Sequence, residues 1–87
     1  MYYLYILRNI HGRLYIGQTN NLEQRLKDHK THHGAKFIKD YGDFELIYNE
    51  EFQTRSNAMK REKQLKHWTI AKKEALISGN FELLKKL

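Results

Sequence analysis

Several side chains in this sequence are of types that handle phosphate, protons or hard metal ions, among them Tyr5, Tyr15, Arg25, His29 and Glu62. A guanidinium grips a phosphate with a planar fork. A tyrosine or histidine orients or moves a proton, and a carboxylate holds a hard cation. Each type also has an ordinary structural use. On a helix at 100° per residue, Arg25 and His29 fall within about 60° of Leu22, on the face that also carries Leu26. A guanidinium buried there needs an anion. Otherwise it snorkels at the edge of the face, with the histidine at the rim. Glu62 falls about 40° from Ala58, inside an apolar arc that includes Leu65. Two roles are open to it: an internal ion pair, with Arg25 for instance, or a ligand for a hard cation.

The surroundings of Glu62 are lopsided in charge. From Arg55 to Lys73 there are seven lysines and arginines and one acid, Glu62, a surplus of six that equals the net charge of the whole chain, +6. Such a surface favours an anionic partner, most simply nucleic acid. Tyrosine is concentrated as well: Tyr3 and Tyr5 share one face of the first expected strand, and Tyr15 lies in its expected neighbour. A buried tyrosine requires a partner for its hydroxyl, and amphipathic core filling accounts for the same pattern. His29, His32 and His33 have helical metal-site spacing, but no cysteine joins them and zinc needs three or four ligands, so surface histidines are expected. Tyr41, Phe37 and Trp68 are of the type that stacks on bases, with core or rim packing as the default.

These residues must be positioned by a small set of elements. Tyr2 to Leu7 is aromatic and aliphatic and reads as a buried strand. Asn9 to Arg13 is a turn in which Gly12 takes positive φ. Leu14 to Gly17 is a second strand, and the short connection predicts an antiparallel hairpin. Asn20, with Glu23 three residues on, is the expected cap of a helix reaching about Lys30. Thr31 to Gly42 is polar and basic and reads as a loop, and a third strand covers Glu45 to Phe52. Thr54 caps a helix to about Trp68, Thr69 caps a helix stopped by Gly79, and Asn80 caps a last short one. The order is ββαβααα, an α+β class with a small three-stranded antiparallel sheet.

Composition bounds the rest. Eighty-seven residues make one domain, 1–87, with no room for two separate cores. The absence of cysteine excludes disulfides, thiolate metal sites and cysteine nucleophiles. The longest apolar run, Tyr2 to Leu7, is too short to span a bilayer and has no signal-peptide pattern, so a soluble cytoplasmic protein with no membrane partner is expected.

Taken in order, Tyr3-Leu4-Tyr5, Tyr15-Ile16-Gly17, Arg25 with His29 four residues on, and Glu62 resemble the GIY-YIG nuclease superfamily. The run from Gly12 to Thr19 followed by Leu22 and Arg25 is especially similar, as is Glu50-Glu51-Phe52 through Ala58 to Glu62. The resemblance covers nearly the whole chain and is nearest to the small stand-alone bacterial members, the UPF0213 or excinuclease-C-like group. Tyr3 stands where the name-giving glycine of the first motif half would be.

The resemblance implies a three-stranded antiparallel sheet flanked by helices and divalent-metal-dependent hydrolysis of DNA phosphodiesters, with Mg²⁺ as cofactor and Mn²⁺ as substitute. Position by position, Tyr5 and Tyr15 match the motif tyrosines, Arg25 the helix arginine, His29 a histidine-or-tyrosine position, and Glu62 the metal-binding glutamate. One glutamate suffices for Mg²⁺ when water and substrate phosphate complete the octahedron. Arg25 then clamps the scissile phosphate, Tyr5 is the general base or orients the water, Tyr15 orients water or phosphate, and His29 assists proton transfer or holds a hydrogen bond. As a base, Tyr5 needs its pKa lowered from about 10 by metal or neighbouring cations. Lys36, Lys39, Lys60, Arg61 and Lys66 are candidate phosphate contacts. The expected activity is a DNA endonuclease of low sequence specificity, acting in repair or recombination on single strands, duplex or branched DNA, with selection by DNA structure or by a partner protein. The alternative is a non-catalytic basic nucleic-acid-binding module of the same fold.

Overall fold

A strand made almost entirely of large apolar side chains has nowhere to turn a polar face, so it must lie between others. The computed structural model describes residues 1–30 and 44–87, with side chains for 1–27 and 44–87. In it β1 (Tyr2–Asn9) is the central strand, paired antiparallel with β2 (Leu14–Thr19) on one side and β3 (Phe44–Phe52) on the other. Leu4, Tyr5, Ile6 and Leu7 are consecutive and all at most 1% exposed, so both faces of β1 are covered. The helices are α1 (Leu22–Lys30), α2 (Arg55–Lys66), α3 (Ile70–Ser78) and α4 (Phe81–Lys86). The described elements follow the order ββαβααα, and the class is α+β, as the sequence predicts. The segment read as a loop, with His32, His33, Lys36, Phe37, Lys39 and Tyr41, lies outside the described residues, and so does the side chain of His29 on α1.

The two faces of the sheet have different work. Leu4 and Ile6 of β1 and Ile16 of β2 pack with Leu65 of α2 and Leu76 of α3 in the buried core. Removing a Leu or Ile side chain from water in this way stabilises the fold by roughly 1.5–3 kcal/mol each. Leu14, Tyr48, Phe52, Trp68 and Leu84 pack around that cluster. Along β3 the register slips: Ile6 faces Tyr48 but Leu7 faces Leu46, so Ile47 is an extra residue on β3.

Local chemistry closes each connection. The Asn9 side chain accepts from the backbone N–H of His11 at 3.0 Å and of Arg13 at 2.8 Å, and Gly12 takes φ +79°, as its turn requires. Thr54, Thr69 and Asn80 cap α2, α3 and α4, each accepting from a backbone N–H three residues on. Gly79 ends α3 in the left-handed region at φ +74°. The strands run one or two residues longer than the sequence reading, and two helix boundaries also differ. Asn21, not Asn20, caps α1, accepting from the Gln24 N–H at 3.1 Å. The Thr19 hydroxyl takes the Asn21 N–H at 3.1 Å and donates to its carbonyl, which holds the chain one residue further along before the helix starts. The second helix stops at Lys66 rather than Trp68, where the His67 and Trp68 N–H groups tighten onto Gln64 and Leu65.

Candidate active site

The site begins with a glycine. In the β1–β2 register Tyr5 lies opposite Gly17. A Cβ at Gly17 would stand 2.5 Å from the Tyr5 hydroxyl oxygen and 2.7 Å from the ring carbon that bears it. No side chain fits there, so the glycine is the floor on which the Tyr5 phenol lies across β2. Tyr15 sits beside it, ring centroids 6.2 Å apart and tilted by 35°, and the two side chains are hydrogen-bonded. Arg25 of α1 and Glu62 of α2 both act electrostatically on the Tyr5 hydroxyl. Thus four of the five residues singled out in the sequence, drawn from β1, β2, α1 and α2, share one environment. The fifth, His29, is outside the described side chains.

The charge state of Tyr5 differs from the expectation for a base. Burial pushes its phenol well above the ordinary tyrosine value, the neighbouring Tyr15 and Glu62 push it further, and Arg25 pulls it back less than these raise it. The protein's own groups therefore favour the neutral hydroxyl at Tyr5.

Glu62 is half-buried, with 21% of its side chain exposed, and one carboxylate oxygen meets the Lys66 Nζ at 2.7 Å across one helical turn. The ion pair foreseen for it exists, but with Lys66 rather than Arg25. A pair of this kind is worth only about 0.3–0.5 kcal/mol, so it does not hold the carboxylate against a stronger ligand. Among the described residues no three His, Asp or Glu side chains converge as a metal cluster. Glu62 offers a single hard oxygen donor, which fits an ion that keeps most of its shell as water and phosphate.

Two other expected contacts find partners inside the fold. Arg61 places its Nε 2.9 Å and its Nη2 3.1 Å from the two carboxylate oxygens of Glu50, while Nη1 donates to the Gln64 side chain at 2.8 Å. The Tyr48 hydroxyl donates to the same Glu50 carboxylate. The Arg61 fork is thereby turned inward, onto β3, rather than left for phosphate. Its guanidinium carbon also lies 5.2 Å from the centre of the Trp68 ring, and the Lys72 Nζ lies 4.4 Å from it. Trp68 is thus a cation–π platform within the fold. Lys60 and Lys66 are exposed on α2, where they line an open hollow of about 390 Å³ together with Met59, Glu62, Lys63 and His67.

Sequence reasoning missed three participants. Gly17 was read as part of a motif, and its steric role follows only from the register. Glu50 was read only as part of a similar stretch, and its pairing with Arg61 was not legible because that partner is eleven positions away on another element. Arg55 lines a polar cleft of about 250 Å³ with Arg25, Tyr2, Gln18, Thr19 and Asn20. A cation in the first turn of a helix, where acids are favoured, was the available sign of it.

With this geometry in place, comparison with known proteins is informative. Residues 1–75 match the GIY-YIG catalytic domain family. The chain is 41% identical over 76 residues to a UPF0213 protein of Bacillus pumilus, covering 87% of this chain and 78% of that one. It is 43% identical over 76 residues to a UPF0213 protein of Oceanobacillus iheyensis, covering 87% and 88%. Among solved structures, the solution structure of a UPF0213 protein from Bacillus halodurans superimposes with a TM-score of 0.59 at 37% identity, over 90% of this chain and 84% of that one. That of a protein from E. faecalis gives 0.63 at 34% identity, over 94% and 86%.

Proposed function

The chain belongs to the GIY-YIG family, in its UPF0213 branch, and from that premise we propose that it is a divalent-metal-dependent endonuclease acting on DNA phosphodiesters. The observation that carries the reading is the grouping of Arg25, Glu62 and Tyr15 about the Tyr5 hydroxyl, which needs four separate elements to meet. Binding alone would not require that set.

In this reading Arg25 clamps the scissile phosphate and spreads its developing charge. Tyr5, held neutral, orients the attacking water through its hydroxyl, and Tyr15 fixes the Tyr5 rotor by their shared hydrogen bond. Glu62 would hold Mg²⁺, or Mn²⁺ in its place, which supplies Lewis-acid neutralisation of the phosphate and a more acidic bound water. His29, whose ordinary pKa is near 6.5, is the member of the set suited to proton transfer at neutral pH. Lys60 and Lys66 contact phosphates on either side, and Lys36 and Lys39 make further contacts of the same kind. Such contacts position the strand without reading bases, so the choice of DNA falls to its structure or to a partner protein.

The test is nicking of supercoiled plasmid and cleavage of single-stranded, duplex and branched oligonucleotides with Mg²⁺ or Mn²⁺. Wild type is expected to cut, and Glu62→Ala is expected to lose cleavage while keeping its circular dichroism and melting temperature. Salt-sensitive binding that survives Glu62→Ala, with no cleavage of any substrate, would instead establish the non-catalytic binding module.

A further inference from the structure

The cleft shared by Arg25 and Arg55 is lined by two guanidiniums, two side-chain amides and a phenol, and by no carboxylate. Two other arginines are paired within the fold. Arg8 is paired with Glu74 and Arg61 with Glu50. Among the described residues Arg25 and Arg55 are in no such pair. Arg55 is also the first residue of α2, whose first turn contains no acid. A cation at that end opposes the helix dipole, so helix stability does not account for it. Among the described residues, two like charges thus face one polar cleft whose lining holds no carboxylate, an arrangement suited to an anion that comes from outside.

We propose that this cleft is a second phosphate subsite, in which Arg55 grips the backbone phosphate adjoining the one that Arg25 clamps. The inference rests on the reading of Arg25 given above and extends it by one nucleotide. Gln18 and Asn20 also line the cleft, and in this proposal their side-chain amides donate to the same non-bridging oxygens, while the Thr19 hydroxyl is already engaged with the Asn21 backbone. The strand then runs from the Tyr5 hydroxyl past α1 and over the start of α2. The subsite reads phosphate and not base, so its effect is independent of sequence.

Neutralising one phosphate contributes about 0.7 to the slope of log K against log salt for a single strand and about 0.9 for duplex. Fluorescence anisotropy of a labelled oligonucleotide, without divalent metal and across a NaCl series, measures that slope. Arg55→Gln is expected to make it shallower by about this amount, with the melting temperature unchanged or raised. Arg55→Lys should keep the slope. Lys85→Ala, an equal loss of charge on α4, should leave it as in wild type. A wild-type slope in Arg55→Gln overturns the subsite while leaving the nuclease reading intact. So does the same shallow slope in Lys85→Ala, or a lowered melting temperature in Arg55→Gln. If the wild-type protein itself shows no salt-dependent binding, the nucleic-acid reading fails with it.

Discussion

Tyr5 shows how little a residue's type says about its role until its surroundings are known. Its phenol lies on Gly17 because the facing position has no side chain, and the 2.5 Å approach to a notional Cβ leaves no slack. Gly17→Ala should therefore behave as an overpacking substitution, destabilising by about 1–3 kcal/mol, and should lower cleavage by moving the hydroxyl. Thermal unfolding and a cleavage assay on the same preparation check both effects. Arg61 makes the opposite case. Its type and place on a basic helix suggest phosphate, but its fork is bound to Glu50 and Gln64. Arg61→Ala should cost stability by leaving Glu50 and Tyr48 with a broken network, on the order of 1–3 kcal/mol. It should leave the salt slope of DNA binding at the wild-type value, the reverse of Arg55→Gln. A steady melting temperature with a shallower slope would return Arg61 to the DNA surface.

At the scale of elements, the ends of helices were the most legible feature. Thr54, Thr69 and Asn80 cap as their types and positions indicate, and Gly79 stops α3. Two ends differ: α2 stops at Lys66, short of Trp68, and at the start of α1 two adjacent asparagines offer the same side chain and the Thr19 hydroxyl decides between them. Asn21→Ala should lower stability by about 1 kcal/mol, as loss of a helix cap does, whereas Asn20→Ala should change it by less than about 0.5 kcal/mol, as exposed substitutions do. Urea unfolding of the two variants separates them, and equal effects would move the cap back to Asn20. The strands were legible in content but not in pairing. The apolar run of β1 demands burial on both faces, yet the extra residue at Ile47 arises only when β3 is laid against it.

Over the whole molecule, burial couples the site to stability at high pH. The chain has six tyrosines. Tyr48 is pushed up to about 12, by burial first and then by its bond to the Glu50 carboxylate, and burial raises Tyr5 as well. Both side chains bind a proton more tightly when folded than when unfolded, where a tyrosine titrates near 10. Their contribution is complete below pH 10 and is lost as pH rises through the folded values. Unfolding free energy should be flat with respect to these groups up to about pH 10 and fall between about 10 and 12. Denaturant titrations at stepped pH measure it, alongside phenolate absorbance in which two tyrosines ionise late. Tyr48→Phe should flatten part of that fall, and an undiminished fall would assign it to other groups. No described helix is long and apolar enough to cross a membrane.

The sequence by itself determined what depends on near neighbours: the turn at Asn9 to Gly12, three of the four caps, the element order, and the chemical identity of Tyr5, Tyr15, Arg25 and Glu62. These follow from groups a few positions apart, so a linear reading reaches them. The tertiary structure alone decided which carboxylate Arg61 takes, that Glu62 meets Lys66 and not Arg25, that burial raises the Tyr5 phenol above its ordinary value, and that Arg55 shares a cleft with Arg25. Burial and electrostatic fields sum over atoms from segments far apart in the chain, and that sum exists only once β1 lies between its neighbours with the helices packed against the sheet.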